Sequence, residues 1–470
     1  SREETVTGEA AIRFTLSERQ CVTLDFRQPA DRIFSLSVNG TEAAYRAVNE
    51  HIVIPRKYFR KGENEVTVAF GAADQSLNRQ EEFLYTLLVP DRARTLFPCF
   101  DQPDLKARFS LTLDLPASWQ AVSNGAVTAI DSAAAGRRTV FFAETEPLST
   151  YLFAFAAGKF GRVEAVRNGR TIALYHRETD PLHAAQAPDI LEQVFDALDW
   201  LEAYTGIPYP FAKYDLIALP GFQYGGMEHT GATFYAAGTL FLNPDPTLNE
   251  RLARAKLIAH ETAHMWFGDY VTMAWFDDVW TKEVFANYFA AQMVPASFPE
   301  VNHDLNFLLS YLPAAYSEER TAGTNPIGQQ LDNLSDAGLV YGNIVYTKSP
   351  VVMDMLVRKM GPDAFREGIR EYLRTYAYAN ATWDQLIEIL DRHSEADLKA
   401  WSDVWIKEKG GPVVSFRCEG DSLRVSQRDT LGRGIVWPQR IAVGCFGDKV
   451  SVVYADLEGA ETTVALPAGT

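Results

Sequence analysis

The segment HETAHMWFGDY, residues 260–270, sets His260 and His264 four positions apart with Glu261 beside the first, in a chain of 470 residues that holds eight histidines. On a helix, positions i and i+4 share a face one turn apart, so both imidazoles can reach one ion at about 2 Å from a ring nitrogen. Glu261 points beside that face, where it can reach a metal-bound water without ligating the metal. The competing reading is a helix whose two histidines are merely packed or solvated. A chance HExxH in a chain of this length arises on the order of one time in a hundred.

A catalytic zinc takes three protein ligands and keeps a fourth position open, and a carboxylate on a neighbouring helix commonly supplements two histidines. Eighteen residues separate His264 from Glu283 in DVWTKEVFANYF. That interval lets one helix end, a loop such as GDYVTMAWF turn, and an antiparallel helix return to the same point. Val279, Trp280, Phe285 and Ala286 surround Glu283 in sequence, which argues against a surface carboxylate.

The chain is too long for one hydrophobic core, and its 47% apolar content fills two or three. From about 10 to 157, apolar residues alternate in short runs: Ile12, Phe14, Leu16; Val22, Leu24, Phe26; Val66, Val68, Phe70; Phe109, Leu111, Leu113, Leu115. Period-two runs broken by turn pairs such as Asn39-Gly40 and Asn124-Gly125 predict antiparallel strands, and IDSAAAGRR reads as a hairpin loop. Residues 1–158 are therefore expected to form an all-β domain.

After Gly158 a helical period is expected to take over. DILEQVFDALDWLEAYTG carries Ile190, Val194, Leu198 and Leu201 at helical spacing and ends on Gly206 as a C-cap. Helical patterns continue to Gly410-Gly411-Pro412, which bounds a second domain at 159–410. PVVSFRCEG, SLRVSQRD and KVSVVYADLEG alternate again, predicting a short β module over 411–470, either a complete sandwich or the start of something larger.

A net charge of −17 with no cluster of Lys and Arg among aromatics excludes a nucleic-acid partner. No run approaches the ~18 consecutive apolar residues of a membrane-spanning helix, so the chain reads as soluble. Cys21, Cys99, Cys418 and Cys445 are far apart with no CxxC pair, and buried free thiols are expected. The chain opens on Ser1 with no Met and no leader, which reads as a processed product or a fragment of a cytoplasmic or exported protein.

HETAHMWFGDYVTMAWFDDVWTKE resembles the zinc helix pair of the gluzincin aminopeptidases, the family of alanyl and puromycin-sensitive aminopeptidases and leukotriene hydrolase. That family shows HExxH, eighteen residues, then Glu. Upstream it carries a Gly-Ala-Met-Glu-Asn or Gly-Gly-Met-Glu-Asn strand, and LPGFQYGGMEHTGATFY supplies Gly225, Gly226, Met227 and Glu228, with His229 where the family has Asn. YGNIVYTKSPVVMDML is similar to its Tyr-x-Lys segment, placing Tyr346 in register with Tyr341 five residues before it; Ser349-Pro350 follow Lys348 where the family has Gly-Ala. RTLFPCFDQPDLKARFSLTL resembles the signature of the family's first domain. Three further departures are Val89, where a Gln- or Glu-containing stretch is usual, and Lys282 and Val284, where Asn and Gly are common. The likeness covers roughly 10–415 and stops short of the family's C-terminal helical domain, expected to be missing or removed.

The resemblance implies a multidomain fold: an N-terminal antiparallel β saddle-like domain, a thermolysin-like α/β catalytic domain and a short C-terminal β module. It implies one Zn²⁺ per chain on His260, His264 and Glu283, with Glu261 as general base and Tyr346 donating to the oxyanion. Substrates are then peptides with a free N-terminus. Glu228 and the Gly225-Gly226-Met227 strand fit that role physically. A glycine pair lets a peptide lie close against an edge strand, and a buried carboxylate meets its ammonium group. The alternatives are a thermolysin-like endopeptidase and a non-catalytic binding scaffold; epoxide hydrolysis, as in leukotriene hydrolase, is a further option on this framework.

Overall fold

The computed structural model describes residues 5–132, 135–339, 342–447 and 449–467. The chain divides into two compact units, Ser1–Phe195 with Pro210–Leu257, and Asp196–Tyr209 with Ile258–Thr470. This partition cuts the chain elsewhere than at 158 and 410. The helices Ala187–Thr205 and Leu248–His264 are each shared between units, and the C-terminal strands cluster with the helices of the second.

The first unit opens with antiparallel sheets, as the alternating runs predict. Thr7–Leu16 pairs along its whole length with Gly62–Gly71, from Thr7↔Gly71 to Leu16↔Gly62, and Ile33–Val38 flanks the latter strand. The Asn39-Gly40 turn joins Ile33–Val38 to Thr41–Glu42 with both residues at positive φ (51° and 77°), the geometry that matches strand twist. Asn124-Gly125 behaves otherwise. Its flanking strands, Gln120–Ser123 and Val127–Asp131, lie in different sheets, so the pair marks a change of sheet and not a hairpin. The Asn124 amide is spent on the Leu152 and Thr230 carbonyls, and Ala143 O approaches Gly125 so closely that no β-carbon would fit. The IDSAAAGRR loop does close a hairpin, Val127–Asp131 against Arg137–Phe142; its residues 133 and 134 lie outside the described residues.

Residues 161–176 correct the expectation that helix follows Gly158. Gly161–Arg167 and Arg170–His176 form a hairpin through Asn168-Gly169, again both at positive φ. They begin a five-stranded mixed sheet ordered Gly161–Arg167, Arg170–His176, Tyr214–Leu219, Thr233–Ala236, Gly226–Met227. Its central pairs are parallel, with the helix Ala187–Thr205 in the crossover. That helix ends where expected, with Gly206 at φ 66°.

The second unit is helical, then β. Val279–Met293, His303–Glu319, Ser349–Met360, Pro362–Thr375, Trp383–Arg392 and Leu398–Trp405 fall within the stretch expected to be helical. The C-terminal module pairs Pro412–Glu419, Ser422–Asp429 and Glu461–Ala465 in one sheet and Gln439–Phe446 with Val450–Leu457 in another. Leu423, Val425, Ala455 and Leu457 form its core. The four cysteines are free, but only Cys99 and Cys445 are buried; Cys21 and Cys418 are exposed, against expectation. Among the described residues no helix is long and apolar enough to cross a membrane.

Candidate metal centre

The histidine helix is started by a reciprocal cap. Thr247 Oγ1 accepts from Glu250 N at 3.2 Å, while Glu250 Oε2 accepts from Thr247 N at 2.8 Å. At its far end the hydrogen bonds tighten, Met265 N to Thr262 O and Trp266 N to Ala263 O, and Gly268 turns the chain at φ 134°. His264 is thus the last helical residue, with His260 one turn behind it on the same face.

The glutamate helix, Val279–Met293, is apolar on nearly every side, with Val279, Trp280, Phe285, Ala286 and Phe289 buried. Such a helix has no solvent face for a carboxylate, and Glu283 is only 4% exposed. Its charge is compensated locally. Burial pushes the Glu283 carboxyl up, but the Lys282 ammonium first, and the neighbouring His260 and His264 rings after it, outweigh that and hold the group well below the usual carboxylate range. Lys282 Nζ lies 3.0 Å from Glu283 Oε1.

His260 Nε2 and His264 Nε2 are 3.1 Å apart, and Glu283 Oε2 lies 3.6 Å from the first and 3.8 Å from the second. Atoms bound tetrahedrally to zinc at about 2.0–2.2 Å stand about 3.3–3.6 Å from one another. The observed distances bracket that spacing, so the three residues fit the ion. The rings are oriented from behind: His260 Nδ1 is 3.1 Å from Asn287 Oδ1, and His264 Nδ1 is 3.2 Å from Phe267 O. Donating Nδ1–H to these oxygens leaves each Nε2 lone pair aimed at the centre. The His260 side chain is 17% exposed and that of His264 1%, so solvent reaches the group from the His260 side.

Glu261 is buried, with a carboxylate oxygen within 4.8 Å of a His264 ring nitrogen, and stands outside the group of His260, His264 and Glu283. Tyr346 sits on a single π turn, Ile344–Lys348, packed against the glutamate helix, with 37% of its surface exposed. The departure to Ser349-Pro350 explains that turn. Pro350 has no N–H for the Tyr346 carbonyl, and the Ser349 hydroxyl takes the Val345 carbonyl instead, so the helix start loosens. Buried Lys348 anchors the turn by donating to Gly410 O at 2.8 Å and pairing with Glu319 at 2.9 Å. Tyr341 lies outside the described residues.

In the first unit, Gly226–Met227 is the edge strand of the mixed sheet, paired antiparallel with Phe234 and Tyr235, and Gly225 O accepts from Ala236 N at 3.0 Å. Glu228 follows it and is 3% exposed. The departure at His229 is absorbed internally, its ring buried edge-on to Phe234 at 4.6 Å. Val89 is also buried.

The sequence reading missed Asn287 and the Phe267 carbonyl, and noted Lys282 only as a departure. Asn287 carried a signal: it lies four residues after Glu283, on the same face of the same helix.

The profile of the peptidase family M1 domain matches residues 190–408, and that of the peptidase M1 N-terminal domain matches residues 3–152. The chain is 34% identical over 365 residues to the puromycin-sensitive aminopeptidase of Caenorhabditis elegans, covering 76% of this chain and 38% of that protein. It is 33% identical over 360 residues to aminopeptidase M1-C of Oryza sativa subsp. japonica (75% and 40%) and 31% identical over 417 residues to aminopeptidase N of Streptomyces lividans (82% and 47%). The chain therefore spans about two fifths to one half of the length of these relatives.

Proposed function

The chain belongs to peptidase family M1, and from that premise we propose that it is a zinc-dependent aminopeptidase that removes N-terminal residues from peptides. The observation that carries the reading is the convergence of His260 Nε2, His264 Nε2 and Glu283 Oε2 at 3.1–3.8 Å, with Asn287 and Phe267 fixing the rings. Relatives named as aminopeptidases support the substrate class.

When bound, zinc supplies Lewis acidity that polarises the scissile carbonyl and acidifies the attacking water. Glu261, buried beside His264, takes the proton from that water and delivers it to the leaving amine. Tyr346 donates its hydroxyl to the carbonyl oxygen as negative charge develops there, an interaction worth most in the transition state. Glu228 receives the substrate ammonium, and the Gly225-Gly226-Met227 edge strand receives the peptide backbone.

The test is hydrolysis of a panel of aminoacyl fluorogenic amides, each free and N-acetylated, with and without a chelator. Chelator-sensitive release from free amides only is the expected result. Equal cleavage of acetylated substrates would replace the assignment with an endopeptidase.

A further inference from the structure

Lys282 precedes the third ligand on its helix, where successive side chains ordinarily point about 100° apart and do not meet. Here they do meet. Lys282 Nζ lies 3.0 Å from Glu283 Oε1, and both residues are only 4% exposed. Room for this curl comes from the loop after the histidine helix. A β-carbon at Gly268 would stand 3.2 Å from Lys282 Cβ, 3.4 Å from Lys282 Cδ and 3.4 Å from His264 Nδ1. One glycine therefore seats both the lysine stem and the ring of the second ligand.

This arrangement divides the two carboxylate oxygens. Oε2 faces the imidazoles at 3.6 and 3.8 Å, while Oε1 is held by the ammonium. Resting on the metal reading above, we infer that Lys282 is a positioning residue that makes Glu283 a one-oxygen ligand, loosening the hold on zinc and leaving the ion more electron-withdrawing toward a substrate carbonyl.

The charges set the direction. A buried carboxylate with both oxygens free would offer them to the ion and offset one of its two positive charges. With Oε1 paired to lysine, that negative charge is shared, and the ammonium repels the ion directly. Charges a few Å apart in a desolvated pocket interact several-fold more strongly than in water. An ordinary supporting contact acts with the opposite sign, since losing a group that merely orients a ligand weakens metal binding by roughly 10–100-fold. The sign of the change in zinc affinity therefore separates the two roles.

The experiment uses the full chain and two variants, Lys282→Met, which keeps the stem without the charge, and Lys282→Asn, which installs a small amide. Zinc affinity is measured by competition with a chromogenic chelator, metal content by elemental analysis, and kcat and KM on an aminoacyl amide. Both variants are expected to bind zinc at least ~10-fold more tightly and to lose ~10-fold in kcat, with KM changed less than ~2-fold. Unchanged or weaker zinc binding in whichever variant folds overturns the inference. A zinc-binding, zinc-dependent parent with loosened variants sinks the role of Lys282 alone. A parent that takes up no zinc sinks the aminopeptidase reading with it.

Discussion

His260 Nε2 and His264 Nε2 stand 3.1 Å apart with their rings at 88°, and each ring's other nitrogen faces an oxygen, of Asn287 or of Phe267. With each Nδ1–H given to its oxygen, both Nε2 atoms are left as acceptors that a cation between them would satisfy. Holding the second ring nitrogen is what would make the pair a ligand set.

Asn287→Ala removes the acceptor behind His260 and frees that ring to rotate. Zinc affinity is expected to fall roughly 10–100-fold while the fold is kept, read by chelator competition beside circular dichroism. Unaltered affinity would mean that packing alone orients the ring.

Glu261→Gln keeps the shape beside His264 and removes the base. Zinc content should stay at one per chain while kcat falls by about 10²–10⁴. Full turnover would remove Glu261 from the reaction.

Tyr346→Phe deletes a hydroxyl on the π turn without emptying a core site, because the residue is 37% exposed. The expected loss is about 10²–10³ in kcat with KM within ~3-fold. A change confined to KM would assign Tyr346 to binding.

Glu228→Ala should lower kcat/KM for substrates with a free α-amine by roughly 10–100-fold, the worth of a buried charge-assisted hydrogen bond, while zinc content stays unchanged. An unchanged kcat/KM on free-amine substrates would count against recognition of the amine.

Asp278 precedes the glutamate helix and accepts from Trp383 N at 3.0 Å. Burial raises its carboxyl to about 6, with the Trp383 hydrogen bond opposing and Asp277 and Asp384 adding. The folded state then holds this proton more tightly than the unfolded chain, whose carboxyl titrates near ~3.9. Its contribution to stability is full below about pH 4, declines as pH rises through about 6, and is flat above. Asp278→Asn keeps an acceptor and no longer titrates. Relative to the parent it should gain about 3 kcal/mol near neutral pH and nothing near ~pH 4, measured by denaturant unfolding at both.

Much of the site was legible because it is written in local periods. The i, i+4 spacing puts His260 and His264 on one face wherever a helix forms, and the Thr247/Glu250 cap and Gly268 bound that helix. The apolar neighbours of Glu283 announced its burial. The strands of 7–71 followed from alternation, and Asn39-Gly40 from the conformational freedom of its two residues. Local chemistry failed where the partner is remote. Asn124-Gly125 has the composition of a hairpin turn, yet its side chain is claimed by Leu152 and Thr230 from far along the chain. Residues 161–176 alternate as strands do, but the strong helical period after Ala187 overshadowed them.

The sequence by itself determined the types of the candidate ligands, their order and the helix–loop–helix that carries them, because side-chain direction on a helix is fixed by backbone geometry alone. Only the tertiary structure decided which oxygen of Glu283 faces the histidines and which faces Lys282. That choice depends on a lysine curling back through the space left by Gly268, a contact between segments that no spacing along either helix encodes.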